Sequence, residues 1–585
     1  VKAPSSPSRK CRRACQDVLR RRFARLPDET VSVLRLAAVL GRDVDIELLI
    51  EAAEAGEDTV LDALESGVLA GLLTEPGHGR VRFSHVLVRD ALYAGVPALR
   101  RARWHARVLA ALERSGSADS AALAHHSVHC ATPSTAGRAA EHCCRAAEHA
   151  EARYAYDAAA ALYRQALECV GLAAGDSDGR RVQLLARLAS ALIRAGATEP
   201  ALAVREDLIR LAQSCGEDVL VGAITSWNVP TPWTNRGYGT VDANLVEVID
   251  RLLRTARLSD EQRCRLLCAF VRETSYSGDA RTEPAAREAE ALADRVGAPE
   301  VIALAMMAQA EVYLADVHPD ERDRIRRRLR AVAEPNGMLA FTLLADILDA
   351  QSASVRLDLD ELARRAESAH ATARRYQLRQ AQVVAGALHA MLAHLRGDLA
   401  GAEAGYERLH AEQRRAGAVD ADGQWLLALL TVRLDQDRLG ELIPVLQQAH
   451  DAGLAQVDDA LALALATAGD ISQARSLLAD PAPIALDYLW LIFQAVRGLA
   501  AAATGATELC AEQYRVLLPY REQVAGAGTS GFVVSPVALV LGRLAVALGN
   551  AEQARQHFTE ASAVATRCGS AVWQAQSAAE LNRLG

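Results

Sequence analysis

The sequence predicts an all-α protein: a tetratricopeptide-like α-solenoid of helical hairpins, preceded by a small winged-helix domain with a short β-hairpin. Three observations predict it. Alanine occurs 118 times, a fifth of the 585 residues, while aromatic residues make up only 4%. Ala and Leu abundance with few aromatic or β-branched residues favours helix over sheet. Glycine-centred turn markers recur along the C-terminal three quarters. Strand-like alternation is confined to one short stretch near residues 69–84.

Residues 1–12 read as a basic disordered tail. Positions 1–25 hold nine basic residues and one acid, a charge of +8 in a chain whose net charge is -8. No apolar stretch follows, so this is not a signal peptide. The arm reads either as a nucleic-acid contact or as a helix with a solvated arginine face. The second reading is preferred, and no direct nucleic-acid partner is expected. Residues 13–95 form the expected winged-helix domain. Helices are predicted at 16–25, 29–40, 45–55 and 59–66. The run from Leu69 to Thr74 reads as a strand, and Glu75-Pro76-Gly77-His78-Gly79 as a turn. Residues 80–84 alternate polar and apolar as a second strand. A helix resumes at His85, and 96–144 is a helical connector.

From 145 to 585 the pattern is helix pairs. Gly196, Gly278-Asp279, Gly397-Asp398, Gly469-Asp470, Gly505 and Gly549-Asn550 mark turns, spaced to give about 36 to 44 residues per unit, a helix–turn–helix repeat plus variable loops. Copies resemble one another in placing a small residue before a large one a helical turn later: Ala402 with Tyr406, Ala474 with Leu477 and Leu478, Ala554 with Phe558. One pair cannot bury its apolar face, so neighbours stack and create a concave surface for a protein partner or a small-molecule inducer. The stretch 227–239 breaks the rhythm with two prolines, two tryptophans and a tyrosine. It reads either as a ligand or partner contact, through Trp227, Trp233, Arg236 and Tyr238, or as a loop whose aromatics plug the groove.

The composition also excludes. The only lysines are Lys2 and Lys10. A phosphate loop G-x4-G-K-S/T needs a lysine to reach the β/γ-phosphates, and neither lies in one. The chain therefore carries no Walker-type ATPase site and no cofactor of its own; ATP or ADP enters only through a separate ATPase domain. No stretch of about 18 apolar residues suggests a membrane span. Eleven scattered cysteines without an export signal point to the cytoplasm, most of them as small buried hydrophobes. Gly175-Asp176-Ser177-Asp178-Gly179 spells G-x-S-x-G, but no strand precedes it, so the nucleophile elbow is not expected. His125 and His129 share a helix face at a spacing that suits zinc, with further His and Cys residues up to His149. Core or rim packing is the reading preferred there, so no metal site is assigned. Asp358-Leu359-Asp360-Glu361 reads as an acidic helix start. With no catalytic constellation, the chain is expected not to be an enzyme.

The segment Arg82-Phe83-Ser84-His85-Val86-Leu87-Val88-Arg89-Asp90-Ala91-Leu92-Tyr93, with Arg101 to Leu109 after it and Val18 to Pro27 and Leu36 to Asp43 before it, resembles a particular region of large bacterial signal-transduction ATPases. That region follows the ATPase module in the large ATP-binding LuxR-type and SARP-type transcriptional activators and in ATPase regions attached to adenylate cyclases. The stretch from Gly531-Phe532 to His557-Phe558 is similar as well. The resemblance implies the sensor and interaction half of a regulator, truncated or served by an ATPase and DNA-binding part in trans. It also implies a role for His85, which matches the position of a histidine that meets the ADP phosphate in related switch ATPases. The plainer alternative is that His85 caps its helix. A free-standing scaffold that binds a peptide is the other reading of the whole chain.

Overall fold

The computed structural model describes residue 19 and residues 21–173, 175, 178–230 and 238–585. The basic tail at 1–12 lies outside the described residues. The chain divides into two compact units, 1–185 and 186–585. No helix among the described residues is long and apolar enough to cross a membrane.

The first unit opens with α1 (Asp28–Leu40), β1 (Asp43–Asp45), α2 (Ile46–Ala52), α3 (Glu57–Leu69), β2 (Leu73–Gly77) and β3 (Arg80–Phe83). The strands form an antiparallel sheet in the order β1-β3-β2. Helix, strand, two helices and a two-stranded hairpin follow one another in this order. The hairpin is where the alternation predicts it, shifted by a few residues: α3 runs on to Leu69, and Leu73 rather than Leu69 begins the strand. The third strand, β1, escapes sequence reading because it is three residues long. It pairs Asp43 with Arg82, Val44 with Val81 and Asp45 with Arg80, and the Asp43 carboxylate meets the Arg82 guanidinium. Asp45 then caps α2, accepting from the Leu48 N–H at 3.2 Å. Leu34, Val44, Leu49, Val60, Leu72 and Phe83 are fully buried in one core. Helices α4 (Val86–Ala94), α5 (Ala98–Arg114), α6 (Ser120–His129), α7 (Ala136–Ala152) and α8 (Tyr156–Leu172) follow, and α9 (Asp178–Arg194) carries the division between the units.

The second unit is an array of tetratricopeptide-like hairpins. Its helices are α10 (Thr198–Ala212), α11 (Glu217–Thr225), α12 (Ala243–Thr255), α13 (Asp260–Thr274), α14 (Thr282–Val296), α15 (Pro299–Val312), α16 (Pro319–Ala333), α17 (Leu339–Val355), α18 (Leu359–Arg375), α19 (Arg379–Leu395), α20 (Leu399–Ala416), α21 (Ala421–Asp435), α22 (Ile443–Asp451), α23 (Asp458–Thr467), α24 (Ile471–Leu477), α25 (Trp490–Thr504), α26 (Thr507–Leu517), α27 (Val537–Ala547), α28 (Ala551–Cys568) and α29 (Ala571–Arg583). The Gly-Asp markers have a mechanical meaning. Gly397 takes φ +78°, a left-handed conformation that ends α19. Asp398 then caps α20 by accepting from the Gly401 N–H at 2.9 Å. Asp470 and Asn550 repeat the cap at α24 and α28. Asp358 does so at α18, as its acidic start predicts. The small-then-large pattern sets close crossings. A Cβ on Gly542 of α27 would stand 2.3 Å from the Phe558 ring of α28. Six cysteines, Cys143, Cys169, Cys264, Cys268, Cys510 and Cys568, are buried free thiols.

One segment of the second unit is no surface loop and is irregular apart from one 3-10 turn, Ala527–Thr529. Residues 521–536 enter the interior of the array. The Val534 N–H donates to Ala525 O and the Ala525 N–H to Ser535 O, each at 2.9 Å, closing a short arch. Val524, Ala527 and Val533 are fully buried among Ala350, Leu388, Met391 and Trp573. Phe532 stacks on Tyr406 at 5.9 Å, and the Tyr406 hydroxyl donates to Gly531 O at 2.8 Å. Gln523 Nε2 donates to Asp316 O at 3.0 Å. The concave interior that the repeat pattern predicts is thus partly filled by the chain itself, through a segment other than 227–239.

Candidate functional site

His85 stands at the junction from β3 into α4. Its backbone is extended and its Nδ1 accepts from the Leu87 N–H at 3.1 Å, so it caps α4. The ring is exposed, and Nε2 is left toward solvent. Behind it, Tyr93 lies under the guanidinium groups of Arg89 and Arg101 at 4.7 and 4.9 Å. The Tyr93 hydroxyl reaches His105 Nε2 at 3.1 Å, and His105 Nδ1 reaches His126 Nδ1 at 2.8 Å. His129 stacks on His105 at 4.7 Å, and His125 lies edge-on to His129 at 4.6 Å. Four imidazoles therefore pack between α5 and α6. Burial, then the neighbouring histidines, push His105 down to about 2 and His126 to about 3. The cluster is a neutral packed contact at pH 7. Among the described residues no group of three or more His, Cys, Asp or Glu is arranged to hold a metal ion.

Of the residues singled out at 227–239, Trp233 and Arg236 lie outside the described residues, as does Ser177 of the G-x-S-x-G string. Trp227 and Tyr238 are not brought together. Trp227 is buried, 3% exposed, with the Arg205 guanidinium 4.7 Å over its ring. Arg205 is itself buried and paired with Glu273 at 2.6 Å. Trp227 thus covers an internal ion pair.

Tyr238 belongs to a different constellation, inside the second unit. Its hydroxyl donates to Asp487 Oδ2 at 2.6 Å. Its ring meets Tyr488 at 6.2 Å and Phe493 at 5.8 Å, and Tyr276 meets Tyr488 at 5.3 Å. Trp490 and Tyr520 continue the aromatic wall at 5.4 Å. These rings are half-buried, each keeping some accessible surface. Asp316, 5% exposed, lies beside them, and Gly528 of the interior arch approaches its carboxyl so closely that a Cβ would stand 3.2 Å away.

The electrostatics of this nest are unusual. Burial pushes Asp316 up to about 6; nearby Arg322 opposes the shift and Asp487 adds to it. Burial likewise raises Asp487 to about 6 against the pull of the Tyr238 hydroxyl. Arg322, whose guanidinium donates to Tyr313 O at 3.2 Å, is lowered by burial to about 10. The tyrosine hydroxyls of Tyr238, Tyr276 and Tyr488 are all raised, burial being the largest cause. Carboxyls raised this far are mostly ionised at pH 7 and take up a proton just below it, when they donate as well as accept. With aromatic faces around them, they suit a group that brings hydroxyl or amide N–H donors. Sequence reading found Tyr238 but missed its partners. Their signal is a single acid in an apolar run, Leu314-Ala315-Asp316-Val317 and Ala485-Leu486-Asp487-Tyr488-Leu489-Trp490.

No protein-family profile matches the chain, and no curated protein matches it. Among solved structures it is similar to a signal transduction ATPase with numerous domains from Pyrococcus horikoshii that carries a tetratricopeptide repeat sensor. The identity is 12% and the TM-score 0.27, over 72% of this chain and 65% of that one, so the match spans less than two thirds of that protein. A circular tandem repeat protein with novel repeat topology and enhanced subunit contact surfaces is 15% identical, with a TM-score of 0.13, over 99% and 96% of the two chains. Likenesses this shallow carry no weight. The tetratricopeptide-like architecture rests on the hairpins, caps and crossings of this chain.

Proposed function

We propose that the chain is a non-enzymatic sensor and protein-interaction module of a transcriptional regulator of the signal-transduction ATPase class. The observation that carries this reading is the Tyr238–Asp487 contact among half-buried aromatics and carboxyls raised by burial. An inducer in this scheme docks against these rings and carboxyls of the repeat array. A ligand there biases the array between two arrangements only as far as it binds one better than the other. The winged-helix domain supplies the second contact: His85 caps α4 through Nδ1 and keeps Nε2 available to an ATPase in trans. Nucleotide enters this scheme only on that separate domain.

The test uses the full chain with a purified signal-transduction P-loop ATPase domain. The chain is expected to slow ADP release from the ATPase, and His85→Ala to restore it. Tyr238→Phe and Asp487→Asn are expected to abolish any inducer effect without altering ADP release in the absence of inducer. If His85→Ala leaves ADP release unchanged, the regulator reading fails.

A further inference from the structure

The hairpins of the second unit carry a polar groove far in sequence from the Tyr238–Asp487 nest. It has a volume of about 510 Å³ and is bounded by α18 and α20, with α19 as its floor. Each helix contributes one face. Glu367, His370 and Arg374 stand on α18, three and four residues apart. Gln382, Gly386, His389 and Ala390 follow the same helical spacing on α19. Gly401, Gly405, Arg408, Leu409 and Glu412 do so on α20.

The groove exists because its floor is small. Gly386 and Gly405 carry no Cβ; one on Gly405 would stand 2.9 Å from the Ala390 Cβ, and one on Gly386 2.7 Å from Leu409. Small residues let α19 and α20 approach closely, and the long charged side chains stand only on the walls. A groove of this volume is in the range of ligand sites, roughly 300–1,000 Å³.

Among the described residues, the two arginines of the walls, Arg374 and Arg408, are without an ion pair, whereas Arg364 and Arg365 on the same helix as Arg374 are both paired with Glu361. His370 Nδ1 is buried without a hydrogen-bond partner. The tautomer that buries only a lone pair there puts the ring proton on Nε2, which makes His370 a donor at its other nitrogen. His389 donates through Nδ1 to Ala385 O at 2.8 Å, which fixes its ring, and its Nε2 lies 3.5 Å from Glu367. Two guanidinium groups without an ion pair and a donor histidine thus line the groove together with the carboxylates of Glu367 and Glu412. Guanidinium forks match carboxylate and phosphate oxygens in geometry and charge.

We propose that the groove between α18 and α20 binds a small organic oxyanion, a carboxylate or a phosphate ester, held by Arg374 and Arg408 with His370 as a further donor. Glu367 and Glu412 set its selectivity: they oppose multiply charged anions and admit a ligand that also carries a positive or neutral polar end. This site is independent of the regulator reading and of the interior nest.

The experiment is calorimetric titration of the full chain at low ionic strength, where exposed charges are least screened. One arm uses succinate and the other glycerol 3-phosphate. Binding of either is expected, and which one binds more tightly identifies the source of the oxyanion. Arg374→Gln and Arg408→Gln are each expected to weaken binding by about tenfold, the scale of one charge-assisted hydrogen bond. Glu412→Gln is expected to tighten it. Arg364→Gln, which removes an exposed arginine on the same helix already paired with Glu361, leaves it unchanged. The arginines are exposed, so the variants keep the fold, which circular dichroism verifies. The proposal is overturned if neither probe binds, or if Arg364→Gln weakens binding as much as the groove variants do.

Discussion

The indole N–H of Trp573 donates to Asp435 Oδ2 at 2.8 Å, across 138 residues of sequence. The same oxygen lies 2.9 Å from His394 Nε2, while Oδ1 accepts from Gln576 at 3.2 Å. Trp573 and His394 are fully enclosed. One carboxylate therefore joins α19, α21 and α29. Trp573→Ala is expected to destabilise the second unit by about 3–5 kcal/mol, the range for deleting a large buried aromatic. Asp435→Asn, which keeps an acceptor, should cost less than Asp435→Leu, which strands the indole N–H and the imidazole. Urea unfolding followed by tryptophan fluorescence measures the order. Equal losses for Asn and Leu would refute it.

The two units are expected to respond to acid with opposite signs. His105 and His126 have folded values of about 2 and 3, below their ordinary 6.5. The unfolded chain therefore takes up protons that the folded one refuses. The stability of the α5–α6 contact is complete above pH 6.5 and falls as the pH drops from there toward 3, by up to ~1.4 kcal/mol per unit for each histidine. Asp316 and Asp487 sit at about 6, above their ordinary 3.8. Their fold holds protons the unfolded chain releases, so local stability is greatest below pH 3.8 and declines as the pH rises through 6. Hydrogen exchange corrected for intrinsic rates checks both. From pH 7 to 5, peptides covering 98–129 should lose protection and those covering 485–495 should gain it.

The crossing of α27 and α28 depends on the missing side chain at residue 542. Gly542→Ala forces a methyl group against the Phe558 ring and is expected to cost about 1–3 kcal/mol. Phe558→Leu in the same chain should recover part of that loss, because the two positions share one space. A double-mutant cycle in urea measures the coupling; additive losses would mean the helices simply shift apart.

His85 has a structural duty that is separable from any partner. His85→Ala removes the acceptor for Leu87 N–H and is expected to lower stability by about 1 kcal/mol, whereas His85→Asn restores a capping side chain. Thermal denaturation of the three proteins makes the comparison. An alanine variant as stable as the other two would show that the Nδ1 contact contributes nothing.

Much of this architecture was legible in the sequence because it is local. A Gly-Asp turn ends one helix and caps the next within a few residues, so Gly397-Asp398 and Gly549-Asn550 announce their hairpins. The wing is legible through its alternation and its Gly-rich turn. The nest is not, because Tyr238, Tyr276, Asp316 and Asp487 are brought together by stacking of hairpins, Tyr238 and Asp487 being 249 residues apart, and no short pattern encodes that. Tyr238 stood out only because an aromatic in a helix-breaking stretch is conspicuous, and Trp227 for the same reason, although it packs over Arg205. The 521–536 segment shows the opposite failure: its glycines and valines are visible, but nothing local distinguishes an apolar arch that fills an interior from an ordinary loop.

That arch has a consequence for how the protein can change over generations and how fast it can form. An array in which each hairpin touches only its neighbours gains or loses a unit at little cost and folds outward from any point. Here Gln523 holds Asp316 at a separation of 207 residues, Gly531 holds Tyr406 at 125, and Arg567 holds Arg356 O at 211. Inserting or deleting one hairpin between them would move the anchor away from its socket, so the number of hairpins is locked. The same long spans must close before the interior can dry, which places this array with the slow, long-range folders rather than with the quick local ones.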